Sequence, residues 1–309
     1  MQKIALTVEN LTKIYSANKK KRSEKALNNL NFEVKQGEVL GILGPNGAGK
    51  TTFLSILGGT AIKSSGKINV WGFDLDKNPR QVRASIGIVP QEINLDAFFT
   101  PKKLLELQAG LYGVPEKERI TDEILKMVSL ESKANAYSRS LSGGMKRRLL
   151  IAKAMVHQPP ILILDEPTAG VDVELRKNLW ENVRELNKRG VTIILTTHYL
   201  FEAQEMCHRI AIIDKGNLVA LDTTQKLLDR IQTKKVTFKL KKFDENIKLN
   251  VSGIKFIING NTSISVVYEK NINKFGDILD YLKNNRLEIL DITTEDSDLE
   301  DVFEKLTNN

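Results

Sequence analysis

Apolar residues in the first two thirds of the chain form short runs of strand length, separated by amphipathic stretches. The runs VLGIL (39–43), ILILD (161–165) and VTIILTT (191–197) are almost wholly apolar, which is typical of strands buried on both faces of a sheet. RIAIIDKGNLVAL (209–221) is typical of two strands around a Lys-Gly-Asn turn. The alternation with helical stretches predicts an α/β fold.

Two helices are predicted between these strands. KTTFLSILGG directly follows the first glycine-rich loop and ends at two glycines. Asp172 is a candidate N-cap for the second helix, which ends before Gly190. Its apolar stripe at helical spacing consists of Leu175, Leu179, Val183 and Leu186.

A different pattern begins near residue 222. VTFKLK (236–241), IKFII (254–258) and ISVVYE (264–269) are short alternating runs typical of strands. A helix (NKFGDILDYLKNN), a strand (LEILDIT) and a last helix (DLEDVFEKLTN) complete the tail. We therefore predict a first domain over 1–222 and a small α+β module over 223–309, with the boundary near 222–233.

Composition narrows the class of protein. The chain has 309 residues, one cysteine and a net charge of +8. A lone cysteine excludes an intramolecular disulfide framework and fits a reducing compartment. No apolar run approaches the roughly 18 residues of a spanning helix, and the start has no stretch typical of a secretory signal. Any function across a membrane is therefore expected to require a second polypeptide.

The strongest motif is GPNGAGKTT (44–52), which matches the phosphate-loop pattern. Side chains at its glycines would block backbone N–H groups from curling around phosphates, while Lys50 supplies charge and Thr51 a hydroxyl for Mg²⁺. A glycine-rich turn before an ordinary helix is the alternative. The candidate nucleotide-binding residues are Gly44, Pro45, Asn46, Gly47, Ala48, Gly49, Lys50, Thr51 and Thr52.

A second motif, ILILDEP (161–167), places two carboxylates at the end of an apolar strand. Asp165 is a candidate Mg²⁺ ligand, and Glu166 is a candidate general base for an attacking water. Because adjacent side chains at a strand end diverge, the two carboxylates can serve different partners. A polar transition from strand to loop is the alternative.

Weaker candidates follow other apolar runs. The carbonyl of Gln91 is suited to complete an oxygen shell around Mg²⁺, and His198 to contact the γ-phosphate or the attacking water. Tyr15 is a candidate to stack on adenine, although a packed core tyrosine is the default interpretation. We interpret His157 and His208 as structural.

A second anion site is predicted at LSGGM (141–145), directly before the helical stretch KRRLLIAKAM. Free backbone N–H groups and the helix dipole attract negative charge there. One nucleotide does not need two phosphate sites this far apart in sequence. We therefore expect the second site, formed by Ser142, Gly143 and Gly144, to bind a phosphate other than that of the nucleotide in the first site.

These motifs, with AGVD at 169–172, resemble in order and spacing the ATP-binding subunits of ATP-binding cassette (ABC) transporters, over about residues 1–222. The closing LEDVFEKLT is similar to the end of ABC-2-type exporter ATPases. The resemblance implies a P-loop ABC cassette, with a RecA-like core, a β subdomain and an α-helical signature subdomain. It also implies ATP hydrolysis with Mg²⁺. Met145 departs from the glutamine of many relatives.

The resemblance further implies a homodimer packed head to tail. Ser142, Gly143 and Gly144 of one copy would bind the ATP held by the other, with Asp172 at the seam. A separate transmembrane permease would anchor the chain peripherally at the cytoplasmic face of the inner membrane and export an envelope molecule. Phe98 and Phe99, after Gln91, are candidates for the permease-docking groove, or for ordinary core residues.

Two other functions compete with transport. The first is a soluble ABC ATPase that acts on nucleic acid or ribosomes. The excess of basic residues over residues 1–219, with 32 basic and 23 acidic side chains, fits this function. Such proteins carry tandem cassettes or a long insertion, and this chain has neither, so we expect no nucleic-acid partner. A purely regulatory nucleotide binder is disfavoured by intact Lys50, Asp165, Glu166 and His198. The basic run KKKRSEK (19–25) is interpreted as a solvated loop, or alternatively as a contact for phosphates or lipid headgroups.

Overall fold

A computed structural model describes residues 3–16, 23–171, 173–230, 233–244, 246–269, 271–295 and 298–307. The chain divides into two compact units, Met1–Thr224 and Gln225–Asn309. The candidate residue Asp172 and most of the basic run at 19–25 lie outside the described residues. The assignment of different roles to 1–222 and 223–309 stays a prediction.

The first unit contains a six-stranded sheet whose central strands are parallel. Its order is β10-β9-β3-β8-β7-β6, and only the pair β9–β10 is antiparallel. The strands are β3 (Val39–Leu43), β6 (Ile86–Val89), β7 (Ile161–Asp165), β8 (Thr192–Thr196), β9 (Arg209–Asp214) and β10 (Asn217–Thr223). Every residue of β3 and β8 is buried, as expected for strands covered on both faces.

An antiparallel four-stranded sheet packs onto the same core. Its order is β2-β1-β4-β5, with β1 (Ile4–Tyr15), β2 (Glu24–Lys35), β4 (Ser65–Val70) and β5 (Phe73–Asp74). Alternate residues of β2 such as Phe32 and Val34 are buried, which is the pattern of a strand with one face on a core. Phe32 meets Phe53 of the first helix at 5.4 Å between ring centroids, so this helix packs against the second sheet.

Helices occupy the connections of the first unit. They are α1 (Lys50–Leu57), α2 (Pro79–Ala84), α3 (Pro101–Leu111), α4 (Thr121–Met127), α5 (Gly143–Met155), α6 (Val173–Lys188) and α7 (Leu200–Met206), followed by α8 (Thr224–Leu228) at the unit boundary. The Thr100 hydroxyl accepts a hydrogen bond from the Lys103 amide and Pro101 is the first residue of α3, so this helix begins with a side-chain cap and a proline.

The predicted elements of the first unit are confirmed at the strands 39–43 and 161–165 and at the helix that follows the glycine-rich loop. In α6, Leu179, Val183 and Leu186 of the predicted stripe are buried. Gly190 follows this helix with a positive φ of 94°, a conformation that favours glycine. The α/β class of the chain is therefore correct.

The second unit is an antiparallel sheet with its own core. The order is β12-β13-β11-β14, formed by β11 (Thr233–Leu240), β12 (Ile254–Ile258), β13 (Ser263–Glu269) and β14 (Ile289–Glu295). The helices are α9 (Phe275–Asn284) and α10 (Leu299–Thr307). Phe238 of β11 is buried with Ile278 and Leu282 of α9, so the helix covers one sheet face. The predicted strands and helices of the tail are confirmed.

Among the described residues, no helix combines the length and the apolar character that a bilayer crossing needs. The single cysteine, Cys207, is buried, and a Cβ added to Gly41 of β3 would lie only 2.8 Å from its sulfur. Burial raises the pKa of the Cys207 thiol far above its ordinary value. This thiol therefore serves packing between the sheet and α7.

The ring of Phe53 is a stringent test of the first core. Phe53→Ala removes a side chain that is 0% exposed, and we expect it to lower the free energy of unfolding of the first unit by about 3–5 kcal/mol. Both tryptophans, Trp71 and Trp180, lie in this unit, so urea unfolding followed by tryptophan fluorescence reports on it directly.

Phe98→Ala is the control, because Phe98 is 74% exposed. This substitution should change the free energy of unfolding by less than about 0.5 kcal/mol. Equal effects of the two substitutions would contradict the assignment of Phe53 to the core.

Candidate active site

A cleft of about 700 Å³ lies at the carboxyl ends of the parallel strands. Open α/β sheets bind ligands at this edge. The cleft is lined by Tyr15, Glu24, Ala26, the whole loop from Gly44 to Thr52, Gln91, Glu166 and His198. The structure thus brings together candidate residues from five separate segments of the sequence.

The glycine-rich loop runs from the end of β3 to the start of α1 and needs glycine for two reasons. A Cβ added to Gly44 would lie 2.2 Å from the carbonyl oxygen of Ile213, so a side chain there has no room. Gly49 has φ of 110°, and a Cβ there would meet the carbonyl oxygen of Ala26 at 2.5 Å. The amides at the start of α1 therefore line the cleft, where a phosphate binds favourably.

Lys50, the first residue of α1, points its ammonium group into this loop. Its side chain is 6% exposed, and Nζ donates to the carbonyl oxygens of Gly44 at 2.6 Å and Pro45 at 3.1 Å. Burial lowers the pKa of Lys50, while the nearby carboxylates of Glu166 and Asp165 act in the opposite direction. The loop thus carries a buried cation with two acidic neighbours.

The two carboxylates at the end of β7 have different hydrogen-bond partners. Asp165 Oδ1 accepts a 2.6 Å hydrogen bond from the Thr196 hydroxyl of β8. The next residue, Glu166, has φ of 43°, a left-handed conformation that costs a non-glycine residue free energy. Its amide is held by the carbonyl and the hydroxyl oxygen of Thr196 at 3.0 and 3.1 Å.

One oxygen of Glu166 joins two other candidate residues. Gln91 Nε2 donates to Glu166 Oε2 at 3.0 Å, and His198 Nδ1 lies 3.1 Å from the same oxygen. The Glu166 side chain is 12% exposed and the His198 side chain 48%. In this group the Glu166 carboxylate can accept a proton from a water molecule in the cleft. Gln91 and His198, which both contact it, can help to orient that water.

Tyr15 lies at the rim of the cleft. Its side chain is 43% exposed, which excludes the default interpretation as a packed core residue. The ammonium of Lys13 lies 4.6 Å from the centroid of the Tyr15 ring, so one face of the ring already has a cationic neighbour. The exposed ring is available to stack on a planar base.

Ser142, Gly143 and Gly144 do not line this cleft. Ser142 is the N-cap of α5, and its hydroxyl accepts a 3.3 Å hydrogen bond from the Met145 amide. A Cβ added to Gly143 would meet no atom within 4 Å, so the space over this glycine is open within the chain. The second predicted anion site is therefore separate from the first.

The remaining candidates have clear positions. His157 and His208 lie outside the cleft, where the His157 ring stacks on Tyr112 at 3.7 Å and His208 Nδ1 accepts from the Val39 amide at 2.9 Å. Phe98 is largely exposed, so the interpretation of this residue as core is wrong, whereas Phe99 is half-buried.

A second cleft of about 360 Å³ lies beside α3, and its lining includes Asn94, Gln108 and Tyr112. The exposed side chains of Leu107 and Leu111 lie on the same helix.

Sequence reasoning did not anticipate Glu24 and Ala26 in the cleft wall. They belong to the start of β2, and no motif marks them. Ala26 reaches the cleft because its carbonyl approaches Gly49, a contact between segments that are distant in sequence. Only the three-dimensional arrangement of the two sheets reveals it.

Comparison with known proteins agrees with this geometry. The profile of the ABC transporter family matches residues 27–169. The linearmycin resistance ATP-binding protein of Bacillus subtilis is 38% identical over 251 residues, which cover 81% of this chain and 76% of that protein. The Nod factor export ATP-binding protein I of Paraburkholderia xenovorans is 44% identical over 205 residues, covering 65% and 67% respectively.

Solved structures give the same result. A subunit from Clostridium perfringens, part of an ABC transporter complex, superposes with a TM-score of 0.66 at 31% identity, covering 74% of this chain and 92% of that one. A dimeric ATP-binding cassette in a post-hydrolysis state, bound to ADP and Pi, has a TM-score of 0.63 at 29% identity and covers 71% and 98%. The chain belongs to the ABC transporter family, as an ATP-binding subunit that hydrolyses ATP to supply energy to a transporter.

Proposed function

We propose that two copies of this chain close head to tail around two MgATP molecules, and that hydrolysis drives export by a separate transmembrane permease. The observation that carries the dimer is the position of Ser142 and Gly143. They begin a 13-residue helix, have open space above them, and lie away from the nucleotide cleft of their own chain. A phosphate held by a second copy fits this site, since helix N-termini bind anions.

Within one cleft, the contacts support the following roles. Lys50 and the backbone N–H groups of the loop from Asn46 to Thr52 hold the phosphates, and Tyr15 stacks on adenine. Glu166 accepts the proton of the attacking water, because its carboxylate lies where Gln91 and His198 converge. His198, which also lines the cleft, is proposed to contact the γ-phosphate or the attacking water. Asp172, which follows Glu166 by six residues in the sequence, is proposed to contribute at the interface between the two copies.

The residues proposed for Mg²⁺ fit that ion. Thr51, Gln91 and Asp165 offer hydroxyl, amide and carboxylate oxygens, and Mg²⁺ prefers oxygen ligands with few protein carboxylates. Within the described residues, no group of three His, Cys, Asp or Glu side chains is arranged to hold a metal. When bound, Mg²⁺ neutralises charge that develops on the phosphates.

The permease is proposed to dock beside α3. The second cleft beside α3 and the exposed apolar side chains of Phe98, Leu107 and Leu111, which lie on this helix or just before it, support this position. Contact there would hold the chain peripherally at the cytoplasmic face of the inner membrane. The names of the relatives, which refer to Nod factor export and linearmycin resistance, support export over action on nucleic acid. We propose no nucleic-acid partner.

Gly143→Leu tests the head-to-tail dimer. Because a Cβ at Gly143 has open space within its own chain, we expect an unchanged melting temperature and unchanged binding of ATP to the isolated copy. The side chain would obstruct the phosphate of the partner, so steady-state ATPase activity should fall about 100-fold. Activity and nucleotide affinity are measured on the same preparation.

Gly276→Leu is the matched control, since Gly276 also lies in the first turn of a helix with open space over it, in the second unit. This variant should retain full activity. Wild-type turnover by Gly143→Leu would contradict the shared site.

Glu166→Gln tests the proposed general base. The amide keeps the shape of the side chain but cannot take a proton, so we expect ATP affinity to persist and turnover to fall about 100-fold or more. An ATP-bound dimer should accumulate and be detected by light scattering after gel filtration. Glu205→Gln, an exposed carboxylate on α7, is the control and should behave as wild type.

We further propose that 223–309 is an accessory module that supports the dimer or regulates it. Its separate core indicates that the first unit does not need it for folding. Removing residues 225–309 should leave ATP binding intact and reduce the dimer fraction of Glu166→Gln. An unchanged dimer fraction and an unchanged ATPase rate together would exclude both roles.

A further inference from the structure

A buried arginine links α5 to the segment that carries Gln91. Arg147 is only 2% exposed, and its Nη1 donates to the carbonyl oxygens of Pro90 at 2.9 Å and Gln91 at 2.7 Å. Arginine is almost never fully buried unless it is paired. Here its partners are backbone carbonyls just beyond the end of β6, so the guanidinium holds the main chain at Gln91.

The side chain of the same glutamine reaches the cleft. Gln91 Nε2 donates to Glu166 Oε2, which also lies beside His198. Arg147 is therefore connected to the candidate general base through one residue: its guanidinium fixes the backbone of Gln91, and the amide of Gln91 meets the carboxylate. A shift of this backbone by a fraction of an ångström would misalign that contact.

The other end of the link is the anion site of α5. Arg147 lies four residues after Gly143, about 6 Å along the helix axis. A helix transmits displacement as a rigid rod over this distance. Any movement of the Ser142–Gly144 site along α5 is thus carried to the backbone of Gln91.

We propose that Arg147 is a positioning residue for ATP hydrolysis, which makes the alignment of Gln91 against Glu166 depend on the position of α5. This inference rests on the proposed roles of Gln91 and Glu166. The hydrogen bonds of Arg147 Nη1 go to the carbonyls of Pro90 and Gln91, and Arg147 does not belong to the lining of the cleft, so it acts through Gln91.

The neighbouring arginine shows that this arrangement is specific. Arg148 Nη1 also donates to two backbone carbonyls, those of Val128 at 2.9 Å and Ser129 at 3.1 Å. These carbonyls end α4, away from the nucleotide cleft. Arg148 thus has the same chemistry on the same helix but a purely local task. It provides a matched control.

The burial of Arg147 also leaves one donor unsatisfied. Its Nε is buried without a hydrogen-bond partner, which costs free energy in a side chain retained for stability alone. A methionine would fill much of this space without that cost. Stability alone therefore does not explain an arginine at this position.

The experiment is a double-mutant cycle on the full chain with Arg147→Met and Gln91→Ala. Arg147→Met should lower kcat about 10-fold or more and change KM for ATP by less than about 2-fold, because misplacement affects the reacting geometry and not nucleotide binding. Added to Gln91→Ala, the same substitution should lower kcat no further, since its target is already removed. Independent effects would multiply.

Two variants separate positioning from folding. Arg147→Lys keeps a cation whose single nitrogen can donate to both carbonyls, as Nη1 does, and should restore kcat to within about 3-fold of wild type. Arg148→Met should keep the wild-type kcat even if its melting temperature falls. If Arg147→Met does not fold, Arg147→Gln, which keeps one donor, replaces it in the cycle with the same expectations.

The outcomes distinguish this inference from the proposed function. Wild-type kcat in Arg147→Met, multiplicative losses in the double variant, or an equal loss of kcat in Arg148→Met would each overturn the role of Arg147. If Gln91→Ala and Glu166→Gln both retain full activity, the proposed site itself fails. Impaired Gln91→Ala with an active Arg147→Met rejects the positioning role alone.

Discussion

The close approach of bare backbone at Gly44 and Gly49 is the constraint on which the nucleotide site depends. Gly44 presses against the carbonyl of Ile213 at the end of β9, and Gly49 against that of Ala26 in β2. The loop between them is thereby held where the two sheets of the first unit meet. The amide of Gly216, in the turn after β9, also donates to Ala48 at 3.0 Å. A side chain at Gly44 would clash with β9 of the same sheet, and one at Gly49 would clash with β2 of the other sheet, so the fold itself requires glycine at both positions of the nucleotide loop.

The polar residues of the cleft are arranged around this loop by the ends of three neighbouring parallel strands. β7 supplies Asp165 and Glu166, β8 leads to His198, and β6 leads to Gln91. Because parallel strands end at the same edge, residues from separate segments converge without a dedicated scaffold. Thr196 binds Asp165 through its hydroxyl and holds the Glu166 amide, so it fixes both carboxylates from the next strand.

Much of this could be predicted from the sequence, and the exceptions have a common cause. Strands such as 161–165 and the loop at 44–52 are specified by local pattern, because period, apolar content and glycine spacing act over a few residues. The convergence of Gln91, Glu166 and His198 could be expected only through family resemblance, and their bonds to one oxygen were not predicted. Arg147 and Ala26 carried no signal, because the contacts of both run through backbone carbonyls, which every residue type has. The exposure of Phe98 likewise depends on how α3 is placed, which no local pattern encodes.

The strained backbone conformation of Glu166 has a consequence for the stability of variants of this protein. With φ of 43°, this position is one where glycine would relax the chain, and relief of such strain is typically worth on the order of 1 kcal/mol. If stability alone determined the sequence, this position would be occupied by glycine, which has no side chain. With Glu166 in its proposed role as general base, stability and turnover place opposite demands on this residue. Selection of variants for thermal stability alone is therefore expected to replace Glu166 early and to yield a stable protein without ATPase activity.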